Sequence, residues 1–143
     1  MTIPDKEKII EIMRKASSFA FLATDDSDQP RVRAVSPCVE NDMSIWIATM
    51  SGSRKVQQIE KNPKVSLAFV VPPNGEQSAT VIGEAEIVED VEQKKRIWGL
   101  LSYDPLQFFP EGPESGEYCV LKISIKKIEW WEDWETGMKT YEP

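Results

Sequence analysis

The sequence predicts a mainly β protein, an antiparallel barrel decorated with helices. Three observations lead there. Six segments read as strands, most of them joined by short turns. Helical start and stop signals bracket only two or three short stretches. The length, 143 residues, suits one domain over 1–143 with a real core and is too short for two ordinary ones.

The elements follow in order. Thr2 and Pro4 resemble a helix start, and Ile9, Ile10, Ile12 and Met13 fall at helical spacing, so a first helix is expected over 4–16. Ser18 to Thr24 reads as a buried strand. Asp25 to Pro30 is a turn, and Arg31 to Val39 alternates as the second strand of a hairpin. In that strand Val32 and Ala34 fall on one face, Arg31, Arg33 and Val35 on the other. Met43 to Thr49 is the third strand. A helix over 53–61 stops at Asn62-Pro63, where the residue before proline is pushed out of helical geometry. Lys64 to Val71 and Ser78 to Val88 are the fourth and fifth strands, with a bulge or close approach expected at Gly83. Asp90 can cap a helix running to about Leu101. Ser102 to Gly116 is a long irregular connection, of a length that usually serves function or covers something. Tyr118 to Trp130 is the sixth strand. The tail, Glu132 to Pro143, is polar apart from Trp134, Met138 and Tyr141, and none of the six strands falls in it.

Composition narrows the function. Hydrophobic residues make up 41% and charged residues 29%, an ordinary globular balance. A net charge of -7 argues against nucleic acid or anionic membrane as main partner. No run approaches a membrane span, and the N-terminus lacks a signal-peptide pattern, so a soluble cytoplasmic protein is expected. Cys38 and Cys119 are far apart and read as free thiols. Histidine is absent, which excludes Ser-His and Cys-His catalysis and histidine metal sites; no metal site is expected, and hard chemistry would belong to a cofactor.

The most informative stretch is Thr49-Met50-Ser51-Gly52-Ser53-Arg54-Lys55-Val56, where a strand feeds a polar turn that opens a helix. Ser53 is placed to cap the helix. Arg54 and Lys55 lie in its first turn, where the helix dipole disfavours positive charge. A bound anion would relieve the conflict, because free amides, a hydroxyl and two cations make a phosphate cradle. The bland alternative is a capped surface helix with solvated basic residues. The spacing is not that of a Walker motif.

TMSGSRKVQQIEKNPKVSLAF, the strand before it and VIGEAEIV after it resemble the pyridoxamine 5'-phosphate oxidase-like FMN-binding split-barrel family, over roughly Ser18 to Trp131. The helix after Asp90 and the segment FFPEGPESGEYCVLKI look most like the general stress protein 26 branch. The resemblance implies a six-stranded antiparallel split β-barrel and a homodimer with FMN at the subunit interface. It places the phosphate on Ser53, Arg54 and Lys55, puts Thr49 against the flavin, and runs Arg33, Ala34, Val35 and Ser36 beside the ring. Ser78 falls near a family glutamine that reaches the flavin. The family's tryptophan falls on Trp130 or Trp131; alternation sends the two to opposite faces, and Trp131 is the candidate retained.

The chain also departs from the family pattern. Ala48 replaces an aromatic residue and Cys38 a lysine, and the tail after Trp134 lacks the Arg-x-His element that handles pyridoxal substrates. The expectation is therefore a flavoprotein, with flavin-mediated hydride or electron transfer to an unknown small substrate, that is not a true pyridoxamine phosphate oxidase. A flavin-binding module without turnover, a binder of F420, and a purely structural barrel remain as alternatives. Haem is poorer without histidine. No catalytic residue is named, because no carboxylate pair stands out; the run Glu84, Glu86, Glu89, Asp90, Glu92 reads as a solvated acidic face. Cys38 reads as a small hydrophobe and Cys119 as structural. Phe108 and Phe109 either anchor their loop on the barrel, or cover the cofactor or touch a second subunit.

Overall fold

The structure is a computed structural model, and it describes residues 2–143. Helix α1 (Asp5–Ala16) opens behind Pro4, with Asp5 and Glu7 in its first turn and Arg14 and Lys15 in its last, the arrangement the helix dipole favours. Its apolar stripe, Ile9, Ile12, Met13 and Ala16, is buried against the sheet. Strands β1 (Ala20–Asp26) and β2 (Gln29–Val35) form a hairpin closed by Ser27 and Asp28. Both turn residues have positive φ, +49° and +73°, which matches the twist of a two-residue hairpin. The strands thus reach further into the turn than expected. Pro30 lies inside β2 opposite Asp25, and it is tolerated because β2 is an edge strand.

The segment expected as one strand over 31–39 is split. After Val35 the chain leaves β1, passes Pro37, and forms β3 (Cys38–Val39), which pairs with β4 (Ile45–Met50) instead. Proline lacks the amide needed to continue a ladder, so Pro37 marks the crossing from one sheet edge to the other. Next come α2 (Arg54–Lys61), β5 (Lys64–Val70), β6 (Ser78–Val88) and α3 (Val91–Trp98). The Asp90 carboxylate accepts from the Gln93 amide at 3.1 Å, the expected cap, though α3 stops three residues early, before Gly99. Strands β7 (Tyr118–Trp131) and β8 (Met138–Tyr141) complete the chain.

The fold is a single curled antiparallel sheet in the order β2-β1-β5-β6-β7-β4-β3, with β8 attached to β7: a split barrel of eight strands where six were expected. The two extra strands are short β3 and β8. The tail's strand was hidden by its polarity. Gly137 at φ +81° and the Thr136 amide bonded to Asp133 at 2.6 Å turn the chain back, and Tyr141 packs against the core.

One edge of β7 lies along β6 from Val120 to Trp131; the other is shared, by β4 over residues 118–123 and by β8 over 128–131. The register with β6 slips at Ile82/Gly83, where a Cβ on Gly83 would overlap the Ser124 carbonyl, so the expected close approach is real. The main core lies inside the curl under α1. A second cluster, Trp46, Ile97, Phe109, Tyr118 and Val120, lies under α3.

Candidate functional site

The ends of β2 and β4 come together across the split, although they lie far apart in strand order. Between them runs a groove of about 520 Å³ lined by Ala34, Val35, Ser36, Ala48, Thr49, Met50 and Lys55, and by Tyr103, Gln107, Phe108 and Phe109 of the long loop. A smaller cleft of about 340 Å³ shares Lys55 and adds Arg31, Val32, Arg33, Arg54 and Gln58. Lys55 lines both clefts; of the other residues singled out in the sequence, Ala34, Val35, Ser36 and Thr49 line the groove and Arg33 and Arg54 the smaller cleft, whereas Ser53 lines neither.

At the cradle, Ser53 occupies the N-cap position of α2 with extended backbone, but its hydroxyl makes no cap hydrogen bond. That corrects the expected capping role. Ser53 Oγ is buried without a partner, and Ser51 Oγ is buried with only the weak Cys119 thiol beside it. Such groups cost free energy unless something satisfies them. The first intrahelical bond is Gln57 N to Ser53 O at 3.2 Å, so the amides of Arg54, Lys55 and Val56 have no partner within the helix. Lys55 Nζ donates to Thr49 Oγ1 at 2.7 Å. Burial pulls the Lys55 ammonium below the usual lysine range, and the nearby Arg33 guanidinium lowers it further.

Arg33 points to the inner face, as the alternation of β2 requires. Its Nη1 donates to Leu22 O at 3.1 Å and to Thr24 Oγ1 at 2.8 Å, and its Nη2 to Gln58 Oε1 at 2.9 Å. Thr24 also donates to Gln58 at 2.6 Å. The guanidinium thus ties α2 to β1 and β2, and burial followed by the Arg31 charge holds it below the usual arginine range. Gln58 and Thr24 escaped the sequence reading; a glutamine one turn after Arg54 looks solvated on paper yet is buried. Ala34, on the opposite face, lines the groove beside the unpaired edge of β2.

Ser78 and Trp131 are not brought to this region. They face each other across β6 and β7, at the end of β7 remote from Cys119, the residue paired with Thr49. Trp130 points into the core and Trp131 outward, stacked edge-on against Trp134 at 5.8 Å. Cys38 is half-buried on β3, its thiol donating weakly to Leu100 O at 3.5 Å, and burial followed by the Glu40 charge pushes that thiol up.

The loop aromatics divide their labour. Phe109 is buried against Tyr118 at 5.1 Å and Trp98 at 6.2 Å, whereas Phe108 is half exposed, in the groove, against Tyr103 at 5.8 Å. Buried Lys94 fastens the same loop. Its ammonium donates to Ser115 O at 3.0 Å and lies 5.4 Å from the Tyr118 ring, while Tyr118 Oη donates to Lys94 O at 2.8 Å. The Ser51 amide donates to Glu117 O at 2.8 Å, which joins the loop's end to the cradle. Among the described residues no cluster suited to a metal ion occurs, and no helix is long and apolar enough to cross a membrane.

A family model described as pyridoxamine 5'-phosphate oxidase matches residues 6–132. The chain belongs to the pyridoxamine 5'-phosphate oxidase family. Among solved structures, general stress protein 26 from Bacillus anthracis str. Sterne is similar at 25% identity and a TM-score of 0.79, over 96% of this chain and 98% of that one. A pyridoxamine 5'-phosphate oxidase-related, FMN-binding protein from Nostoc punctiforme shares the fold at 15% identity and a TM-score of 0.72, over 99% and 97%. A heme-binding protein from Mycobacterium smegmatis shares it at 14% identity and a TM-score of 0.76, over 99% of this chain and 60% of that one. No curated protein matches. Membership of the pyridoxamine 5'-phosphate oxidase family agrees with the resemblance, and the fold is the split barrel of its FMN-binding members.

Proposed function

We propose that this member of the family binds FMN in the groove, works as a homodimer with the flavin between the two copies, and serves a redox reaction other than pyridoxamine phosphate oxidation. The observation that supports it best is the buried, unpartnered Ser53 hydroxyl at a helix start flanked by Arg54 and Lys55. A phosphate there would satisfy the hydroxyl and the free amides, and would restore the ammonium's lost solvation.

In this reading Ser53, Arg54 and Lys55 hold the phosphate, Thr49 orients Lys55, and Arg33 braces the helix while adding positive potential. The free edge of β2 over Ala34, Val35 and Ser36 offers backbone donors and acceptors to the ring's polar rim. Bound flavin would supply hydride or single-electron transfer. Ser78 and Trp131 would reach it only from a second copy.

The absorption spectrum of the purified protein tests the reading. Flavin bands that survive desalting support it, and a spectrum without flavin after incubation with FMN overturns it. F420 could use the same phosphate grip and has its own spectrum. Haem would have to find its axial ligand among side chains such as Met50 or Tyr103, which line the groove. A non-catalytic flavin module is favoured by the missing Arg-x-His element. Steady-state oxidation of a nicotinamide donor above the rate of free FMN would exclude it.

A further inference from the structure

We propose that Tyr103 and Phe108 form a fixed aromatic subsite at the loop side of the groove, which takes a planar, uncharged aromatic carbonyl compound. It deepens the flavin reading, and rests on it only for what lies beneath that ligand.

Four observations support the proposal. Tyr103 and Phe108 meet edge-to-face at 5.8 Å and line the groove, and Phe108 is 50% exposed there. An apolar ring kept half in water on an otherwise anchored loop offers a stacking surface. The loop is a wall and not a swinging lid. Phe109 is 3% exposed between Trp98 and Tyr118, Lys94 holds Ser115, and Asp104 caps the short turn at Leu106. A preformed wall binds a rigid planar ligand without an ordering cost.

The third observation is charge. Among the described residues no carboxylate lines the groove, and the one cation there, Lys55, is in the first turn of α2 and bonded to Thr49. A ligand carrying its own carboxylate or phosphate would lack a partner at the aromatic side. Finally, Ala48 leaves room beneath the wall, and Tyr103 and Gln107 supply donors for a carbonyl oxygen. The Tyr103 phenol is a protonated donor at neutral pH as any tyrosine is, and burial raises it further.

The test is equilibrium titration of the FMN-loaded protein with 1,4-naphthoquinone and with its 2-sulfonate, read by fluorescence quenching. Saturable binding of the quinone is expected, with the sulfonate at least about tenfold weaker. Phe108→Ala should weaken the quinone roughly fivefold to tenfold, as lost stacking does. Tyr103→Phe should weaken it about threefold to tenfold through the lost hydrogen bond. FMN affinity, measured separately, should fall by a smaller factor than quinone affinity in both variants.

Quinone binding that does not saturate, or that neither variant alters, overturns the subsite while leaving the flavin reading intact. Loss of the dimer in Phe108→Ala would assign that ring to the interface and also overturns it. If FMN itself does not bind, the same titrations on the protein as purified decide the subsite alone: the same variant pattern supports it and its absence overturns it.

Discussion

Lys55 lines both the groove and the smaller cleft, and its surroundings are unusual for a lysine. It is half-buried, bonded to a threonine hydroxyl and placed near a guanidinium with no carboxylate bonded to it. Lys55→Ala should weaken FMN binding by about 1.5–3 kcal/mol, the worth of a charge-assisted hydrogen bond to phosphate. Fluorescence titration measures it, and unchanged affinity removes Lys55 from the grip. The depressed ammonium also fixes a pH dependence. In the free protein Lys55 loses its proton below the usual lysine range, and a bound phosphate favours the protonated form. Binding therefore takes up a proton in that window, and affinity should fall as pH rises through it. An affinity that rises with pH there would contradict the assignment. The strand–turn–helix junction was legible in the sequence, and a serine with two cations at a helix start stands out because it violates dipole preferences. Gln58 was not, because only tertiary packing buries it.

Among the elements, the loop from Ser102 to Gly116 gains its order from neighbours. Lys94→Met keeps the bulk but leaves the Ser115 carbonyl without its donor, at a cost of about 1–3 kcal/mol. Hydrogen exchange should quicken at the Ser115 and Tyr118 amides, which bond within this loop, before it does in β6. Uniform loss of protection would assign Lys94 to global stability alone. The long alternating strands and the helix bounded by Asn62-Pro63 could be read from periodicity and turn chemistry. The short β3 and β8 could not: two and four residues are too few for a period, and their partners on β4 and β7 decide them. The Gly83 bulge was visible as a lone glycine in a strand, yet only the Ser124 carbonyl explains why it must be glycine.

At the scale of the whole molecule, the outer face of the β2, β1 and β5 layer presents Val32, Phe21 and Val70, all exposed. Exposed apolar stripes of this kind are seldom left uncovered, and the homodimer proposed above would cover it along this face. Val32→Asp should shift the assembly towards monomer in sedimentation or light scattering and lower FMN affinity with it, while a single copy keeps its fold by circular dichroism. A variant that stays dimeric places the interface elsewhere.

The divided edge of β7 has a consequence for handling the protein. Between the stretch held by β4 and the stretch held by β8, residues 124–127 have neither as partner, and the gap carries Lys126 and Lys127. An open strand edge is a template for stray pairing between molecules, and lysines there act as gatekeepers. Replacing both by valine should leave the melting temperature nearly unchanged yet promote turbidity and thioflavin-positive aggregates on storage. Clear solutions would mean that another part of the molecule shields this edge.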